Sequence, residues 1–190
     1  MAGHSHGHGD DHGSNKGVAL LIAVLALFLA LAETGAKSAQ TNALAQNIEA
    51  ANLWAFFQAR SIRQTTAGAA AELATLEMVG LEAGERRAAI ERQIAAWRAR
   101  IQGWESEPAT GEGRRELAAR AQRAQEVRDR SMSAYHMFEF GSAAFQVAIV
   151  LASASIVTAV PLLAIMGGVL GVIGFGLSML GFFAPTLIHF

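Results

Sequence analysis

The chain has no cysteine, which excludes disulfides and thiolate metal sites. Proline occurs only at Pro108, Pro161 and Pro185, so long stretches are free of the ring that breaks helices. Lysine is limited to Lys16 and Lys37, and no lysine or arginine follows Arg130. A formal net charge of -1 gives no electrostatic footprint for nucleic acid. There is no HExxH pair and no phosphate-cradling glycine loop before a helix, so no catalytic constellation is present and a non-enzymatic role is expected. The deepest depletion is at the C-terminal end. Residues 138–190 contain one acidic side chain, Glu139, and no lysine or arginine.

What fills those stretches is apolar. Hydrophobic residues make up 52% of the chain and the mean hydropathy is +0.29. Runs over residues 140–159 and 162–184 each reach the ~20 residues needed to cross hydrocarbon, with Pro161 between them. They read as a transmembrane hairpin. Residues 17–36 form a third candidate. A secretory signal peptide is the competing reading there, because Leu29-Ala30-Leu31-Ala32 resembles a cleavage site; the His- and Asp-rich stretch before it, with Lys16 alone, favours a retained anchor. The expected organisation is a flexible His-rich tail (1–16), a first membrane helix (17–36), a helical middle (37–137), a second membrane helix (138–160) and a third with a short C-terminus (161–190). The fold class is all-α: three transmembrane helices with a long cytoplasmic, coiled-coil-like hairpin between the first and second.

The tail carries His4, His6, His8 and His12 with Asp10 and Asp11. Imidazole and carboxylate together suit a divalent transition metal such as Zn, Cu or Ni. The plainer alternative is a solvated tail that binds metal weakly. Removal of Met1 would leave a free amine with His third, a square-planar Cu or Ni arrangement; retention of Met1 abolishes it.

Every arginine lies between Arg60 and Arg130. Lys37, Arg128 and Arg130 flank the membrane ends that face the middle, and the Pro161 turn has no basic residue. The positive-inside rule then puts residues 37–137 in the cytoplasm of a multi-pass inner-membrane protein, with Lys16 weakly opposed. Leu44, Ile48, Ala51, Ala55, Gln58 and Ile62 follow a 4-3-4-3-4 spacing, and Ile90, Ile94, Trp97, Ile101 and Trp104 follow 4-3-4-3. Both predict coiled-coil seams. Gly80 and Gly84 mark a turn, and residues 108–113 break the returning helix. Arms of about 65 and 70 Å at the helical rise match as a two-arm hairpin. A four-helix layout, with further turns at Gly68 and at 108–113, is the alternative.

Small residues recur at similar spacing in all three membrane stretches: Ala19, Ala23, Ala26 and Ala30; Gly141, Ala144, Ala148, Ala152, Ser155 and Ala159; Ala164, Gly167, Gly171, Gly174, Ser178 and Gly181. Membrane helices associate by close backbone approach. The seams predict either closure of the three helices within one chain or self-association. Glu33 reads as an interfacial partner of Lys37. His136 and Glu139 share a helix face, as headgroup-level markers or as a proton or metal relay.

The strings Asn52-Leu53-Trp54-Ala55-Phe56-Phe57-Gln58-Ala59-Arg60-Ser61-Ile62-Arg63 and His136-Met137-Phe138-Glu139, followed by residues 145–153, resemble a family of small bacterial membrane proteins catalogued only as a domain of unknown function. The resemblance covers about residues 17–185. It implies an N-terminal membrane helix, a helical middle and a C-terminal membrane hairpin, and brings no activity or site residues with it. Within its motif, Trp54, Phe57 and Arg60 lie on nearby turns, where arginine could stack on a ring; a packed contact between the arms is the plainer reading. The expected function is a non-enzymatic membrane scaffold or accessory subunit that self-associates or docks on a larger membrane complex. The alternatives are a metal-binding membrane protein using the tail, or an oligomeric pore. Lipid and a homo-oligomeric or larger membrane assembly are the expected partners, and nucleic acid is not.

Overall fold

The computed structural model describes residues 11–187, with side chains over 16–187. It is helical throughout, with no strand among the described residues. The four helices are α1 (Asp11–Glu77), α2 (Glu85–Glu105), α3 (Arg114–Thr158) and α4 (Pro161–Phe183). Three of them, α1, α3 and α4, are long and apolar enough to cross a membrane. No proline interrupts α1, and it passes through Gly68 without a turn. The turn that the four-helix alternative needs there does not form.

The chain divides into two compact units. The first combines α1 up to Ala43 with α3 from Asp129 onward and α4. Here α3 ends at Thr158, Ala159 takes a left-handed conformation (φ 56°), and Val160 is extended before Pro161 at the start of α4. Proline forces its predecessor out of the helical region and itself starts helices well, so this tetrapeptide reverses the chain sharply.

The α3–α4 contact is made by backbone against backbone. A methyl placed on Gly167 would lie 2.8 Å from the Ala148 carbonyl oxygen, and one on Gly174 would lie 2.9 Å from that of Gly141. One on Gly181 would lie 3.0 Å from the Met137 Cβ and 3.3 Å from the Ala134 carbonyl oxygen. Gly167, Gly171, Gly174 and Gly181 are all buried, as are Ala148, Ala152 and Ser155 opposite. Ser178 donates to the Gly174 carbonyl at 2.9 Å and sits against Gly141.

α1 joins this pair through a face other than its alanine seam. Ala19, Ala23, Ala26 and Ala30 are exposed. The packed face is Leu25 and Ala32, supported by Leu21, Phe28 and Leu29. Leu25 occupies the space left by the missing side chain of Gly171. Phe28 lies 6.0 Å from the Phe145 ring and 5.1 Å from the Phe175 ring. Leu25 thus fills the gap at Gly171 while Phe28 packs against two rings, so small-residue spacing does not mark the inward face of α1. The Gly167–Gly171 pair is also divided: Gly167 serves α3 and Gly171 serves α1. Toward the end of this unit, Asn42 Nδ2 donates to the buried Ser131 hydroxyl at 2.8 Å.

The second unit, Leu44–Arg128, contains the rest of α1, all of α2 and the start of α3. α1 turns at Gly80, which has φ +87°. α2 returns along the distal part of α1 with Ile94 buried and Ile90, Trp97, Ile101 and Trp104 half-buried. After the 106–113 loop, α3 packs Leu117 and Ala121 against Leu53, with Trp54 and Phe57 at the edge.

The α1 seam expected at Leu44, Ile48, Ala51, Ala55, Gln58 and Ile62 is not the face that α2 and α3 cover within the chain. Those residues are exposed, with Leu44, Ile48 and Ile62 at 60, 53 and 66%. The covered positions are Gln46, Ala50, Leu53, Phe57, Arg60 and Gln64, also spaced by fours and threes, on the opposite side of the helix. Hydrophobicity does not reveal the covered face, because that face carries Gln46, Arg60 and Gln64, and the partners of Arg60 and Gln64 come from distant parts of the chain.

The backbone contact has a direct test. Gly167→Ala and Gly174→Ala are each expected to cost about 1–3 kcal/mol in unfolding by SDS from mixed micelles. Gly168→Ala and Gly176→Ala, which point into open space, are expected to stay within about 0.5 kcal/mol of the parent. Similar effects at all four would mean that close approach is not what holds α3 to α4.

Candidate functional site

The densest set of interacting polar side chains in the second unit surrounds the loop between α2 and α3. It begins with a geometric restriction at Gly113. A side chain there would collide with the Glu116 carboxylate and the Glu107 backbone nitrogen, and would lie 2.7 Å from the Ser106 Cα. With glycine in place, Glu116 in the first turn of α3 reaches back across the loop. Its Oε1 accepts from the Ser106 hydroxyl at 2.7 Å and its Oε2 from the Glu107 backbone N–H at 3.1 Å. One carboxylate therefore ties the end of α2 to the start of α3.

Around this clasp the charges alternate. Arg60 on α1 donates to Glu112 at 2.7 Å and has Glu107 at 3.8 Å. Gln64 Nε2 donates to Glu105 at 3.3 Å and, at the edge of range, to the Ile101 carbonyl. Arg114 Nη1 donates to the Gln64 amide oxygen and to Glu105 at 3.1 Å, and Arg115 donates to the other Glu105 oxygen at 3.3 Å. The Arg114 guanidinium also sits 4.9 Å from the centre of the Phe57 ring. That ring makes an edge-to-face contact with Trp54 at 5.4 Å.

The motif residues Trp54, Phe57 and Arg60 are thus gathered on one contact between the arms. Arg60 pairs with carboxylates, and the cation over the aromatic ring is Arg114. Arg114, Glu105, Gln64 and Glu116 escaped the sequence reading. Only Glu116 carried a local signal, a glutamate three residues after the loop glycine.

The cluster is suited to holding rather than to reacting. Hydrogen bonds from Gln64 and then Arg115, with the charges of Arg114 and Arg115, keep the Glu105 carboxyl below its ordinary value. The Ser106 hydroxyl and then the Glu107 N–H do the same for Glu116. Both stay ionised near neutrality and act as fixed acceptors, whereas a general acid needs a raised value. Two grooves of about 610 and 540 Å³ flank the α1–α2 contact. They share Thr75 and Arg98 and are the two shoulders of one helix pair.

The metal candidates His4, His6, His8 and Asp10 lie outside the described residues. Asp11 and His12 fall in the first turn of α1, with their side chains outside the described set. Among the described residues no group of three or more His, Asp or Glu is placed to hold a metal ion. His136 Nδ1 lies 3.6 Å from Glu139, whose other oxygen accepts from the Tyr135 hydroxyl at 3.2 Å. Glu33 accepts from Gln146 at 3.4 Å.

A family model matches residues 14–184, and the chain belongs to that family, described as a domain of unknown function (DUF4337). No curated protein and no solved structure matches it.

Gly113→Ala is expected to destabilise the second unit by about 1–3 kcal/mol, because the groups it meets include backbone that cannot swing away; thermal unfolding of the detergent-solubilised chain followed by circular dichroism measures this. The clasp also carries a pH dependence. Glu105 and Glu116 bind protons less readily when folded than when unfolded, so their contribution is complete above the ordinary value of 4.5 and is lost as pH falls through the lower folded values. Melting temperature is therefore expected to drop below about pH 4.5, and Glu116→Gln should flatten that decline while lowering stability at neutral pH. An unchanged acid limb in Glu116→Gln would remove this carboxylate from the account.

Proposed function

We propose that this chain is a non-enzymatic integral membrane scaffold or accessory subunit, anchored by three helices and presenting a helical hairpin on the cytoplasmic side of the inner membrane. The observation that carries this reading is a division of labour between the two units. In the first, the small residues of α3 and α4 are spent on one another and on Leu25, which builds a rigid apolar anchor. In the second, inter-helix ion pairs and the Glu116 carboxylate fix the loop that joins α2 to α3. Such a rigid arm on a membrane anchor is what a subunit needs in order to dock.

Orientation follows from charge. Lys37, Arg128 and Arg130 flank the ends of the apolar stretches nearest the second unit, and the Ala159–Pro161 turn has no basic residue beside it. A biased distribution of this kind favours the cytoplasm for residues 37–137.

Self-association follows from what the anchor leaves over. Ala19, Ala23, Ala26 and Ala30 of α1 are exposed, an uncovered small-residue seam along which a second helix can approach closely. Native mass spectrometry of the chain purified in mild detergent, with co-purifying proteins and metals identified, is expected to show a discrete particle larger than one chain. A monomer that persists at high concentration and co-purifies with nothing would overturn the proposal.

A further inference from the structure

Over residues 44–62, α1 has two opposite faces. One is covered by the returning arm through Ala50, Leu53, Phe57 and Arg60. The other is the uncovered stripe Leu44, Ile48, Ala51, Ala55, Gln58 and Ile62. In heptad terms the stripe alternates d and a positions, whereas the covered residues take c and f. The positions beside the stripe, e and g, are Ala45, Asn47, Asn52, Trp54, Ala59 and Ser61. None is charged. A solvated helix face carries its charges where this one has none, and a 3.5-residue apolar period seats another helix of the same period.

The flanks and the one polar member identify that helix. Coiled-coil partners are chosen by charges at e and g, and this stripe offers nothing for a charged partner to pair with. A second copy brings the same uncharged flanks and meets no repulsion. Gln58 sits at a d position. Opposite an apolar residue its amide would be buried without a partner, which is unfavourable. Opposite Gln58 of a second copy, one amide donates to the other's carbonyl. Further along α1, Glu72 reaches a d position, where two copies would oppose carboxylates, so the self-complementary stretch lies before it.

We propose that this stripe forms a parallel, in-register coiled coil between two copies of the chain. The direction rests on the membrane reading above: two copies inserted in one membrane point the same way, so identical residues face each other. Because the protein has no cysteine, single replacements report the contact cleanly. Ala51→Cys and Ala55→Cys lie on the stripe, and Arg63→Cys lies at a b position outside it.

The variants are oxidised in mild detergent and in reconstituted vesicles, with circular dichroism checking the fold and native mass spectrometry run on the same samples. Disulfide-linked dimer is expected at 51 and 55 at least tenfold above that at 63, on a particle larger than one chain. A particle larger than one chain with no excess of cross-linking at 51 and 55 overturns the coiled coil and leaves self-association standing. A single chain at every concentration overturns both.

Discussion

The first unit depends on α3 and α4 coming close enough for main chain to touch main chain. Beside lipid, an apolar side chain gains nothing by leaving its surroundings, so helix association must come from contact distance and from weak Cα–H···O interactions that short distances permit. Gly167, Gly174 and Gly181 on α4 meet the backbone or Cβ of Ala148, Gly141 and Met137 on α3. That spacing fixes where every other side chain of the unit can go. It leaves Gly171 turned toward α1, and Leu25 takes the vacancy. The reversal at Ala159 and Pro161 then needs only to be short, because the register is set by the glycines.

In the second unit the constraint is electrostatic. Single surface ion pairs contribute little. Here Glu105 is shared by Arg114, Arg115 and Gln64, while Glu116 bridges Ser106 and Glu107. Networks of this kind hold geometry better than isolated pairs because losing one bond leaves the others in place. Their location matters more than their number. They sit where the returning arm is broken by the 106–113 loop, which is where the alignment of α2 and α3 on α1 would otherwise be free to slip.

Helix content, the turn at Gly80, the break after Pro108, the reversal at Pro161 and the three apolar helices were all legible in the sequence. They depend on local signals: proline, glycine and long apolar runs. The face of α1 that the returning arm covers was not legible. Its inward face holds Gln46, Arg60 and Gln64, which look solvated until Glu105, Glu112 and Arg114 are brought beside Arg60 and Gln64 by the fold. Its outward face holds Leu44, Ile48 and Ile62, which look buried. The same reversal hid the anchor's inner seam, where α1 contributes Leu25 and Phe28 instead of its alanines. The period of a pattern is written in the chain; its phase is decided by partners.

That reversal also bears on what the exposed stripe is for. Over 19 residues it spans fewer than three heptads, and two of its six members are alanine. A seam so short and so poor in large side chains would hold two freely diffusing helices weakly, since coiled-coil strength comes from bulky a and d knobs. Anchoring both copies in one membrane changes the requirement. Confinement supplies an effective concentration, as a linker does, and overall affinity then exceeds what the contact alone provides. On the membrane reading proposed above, a weak, uncharged, register-marked stripe is fitted to pairing after insertion and not before it. A stronger stripe would risk premature association of newly made chains.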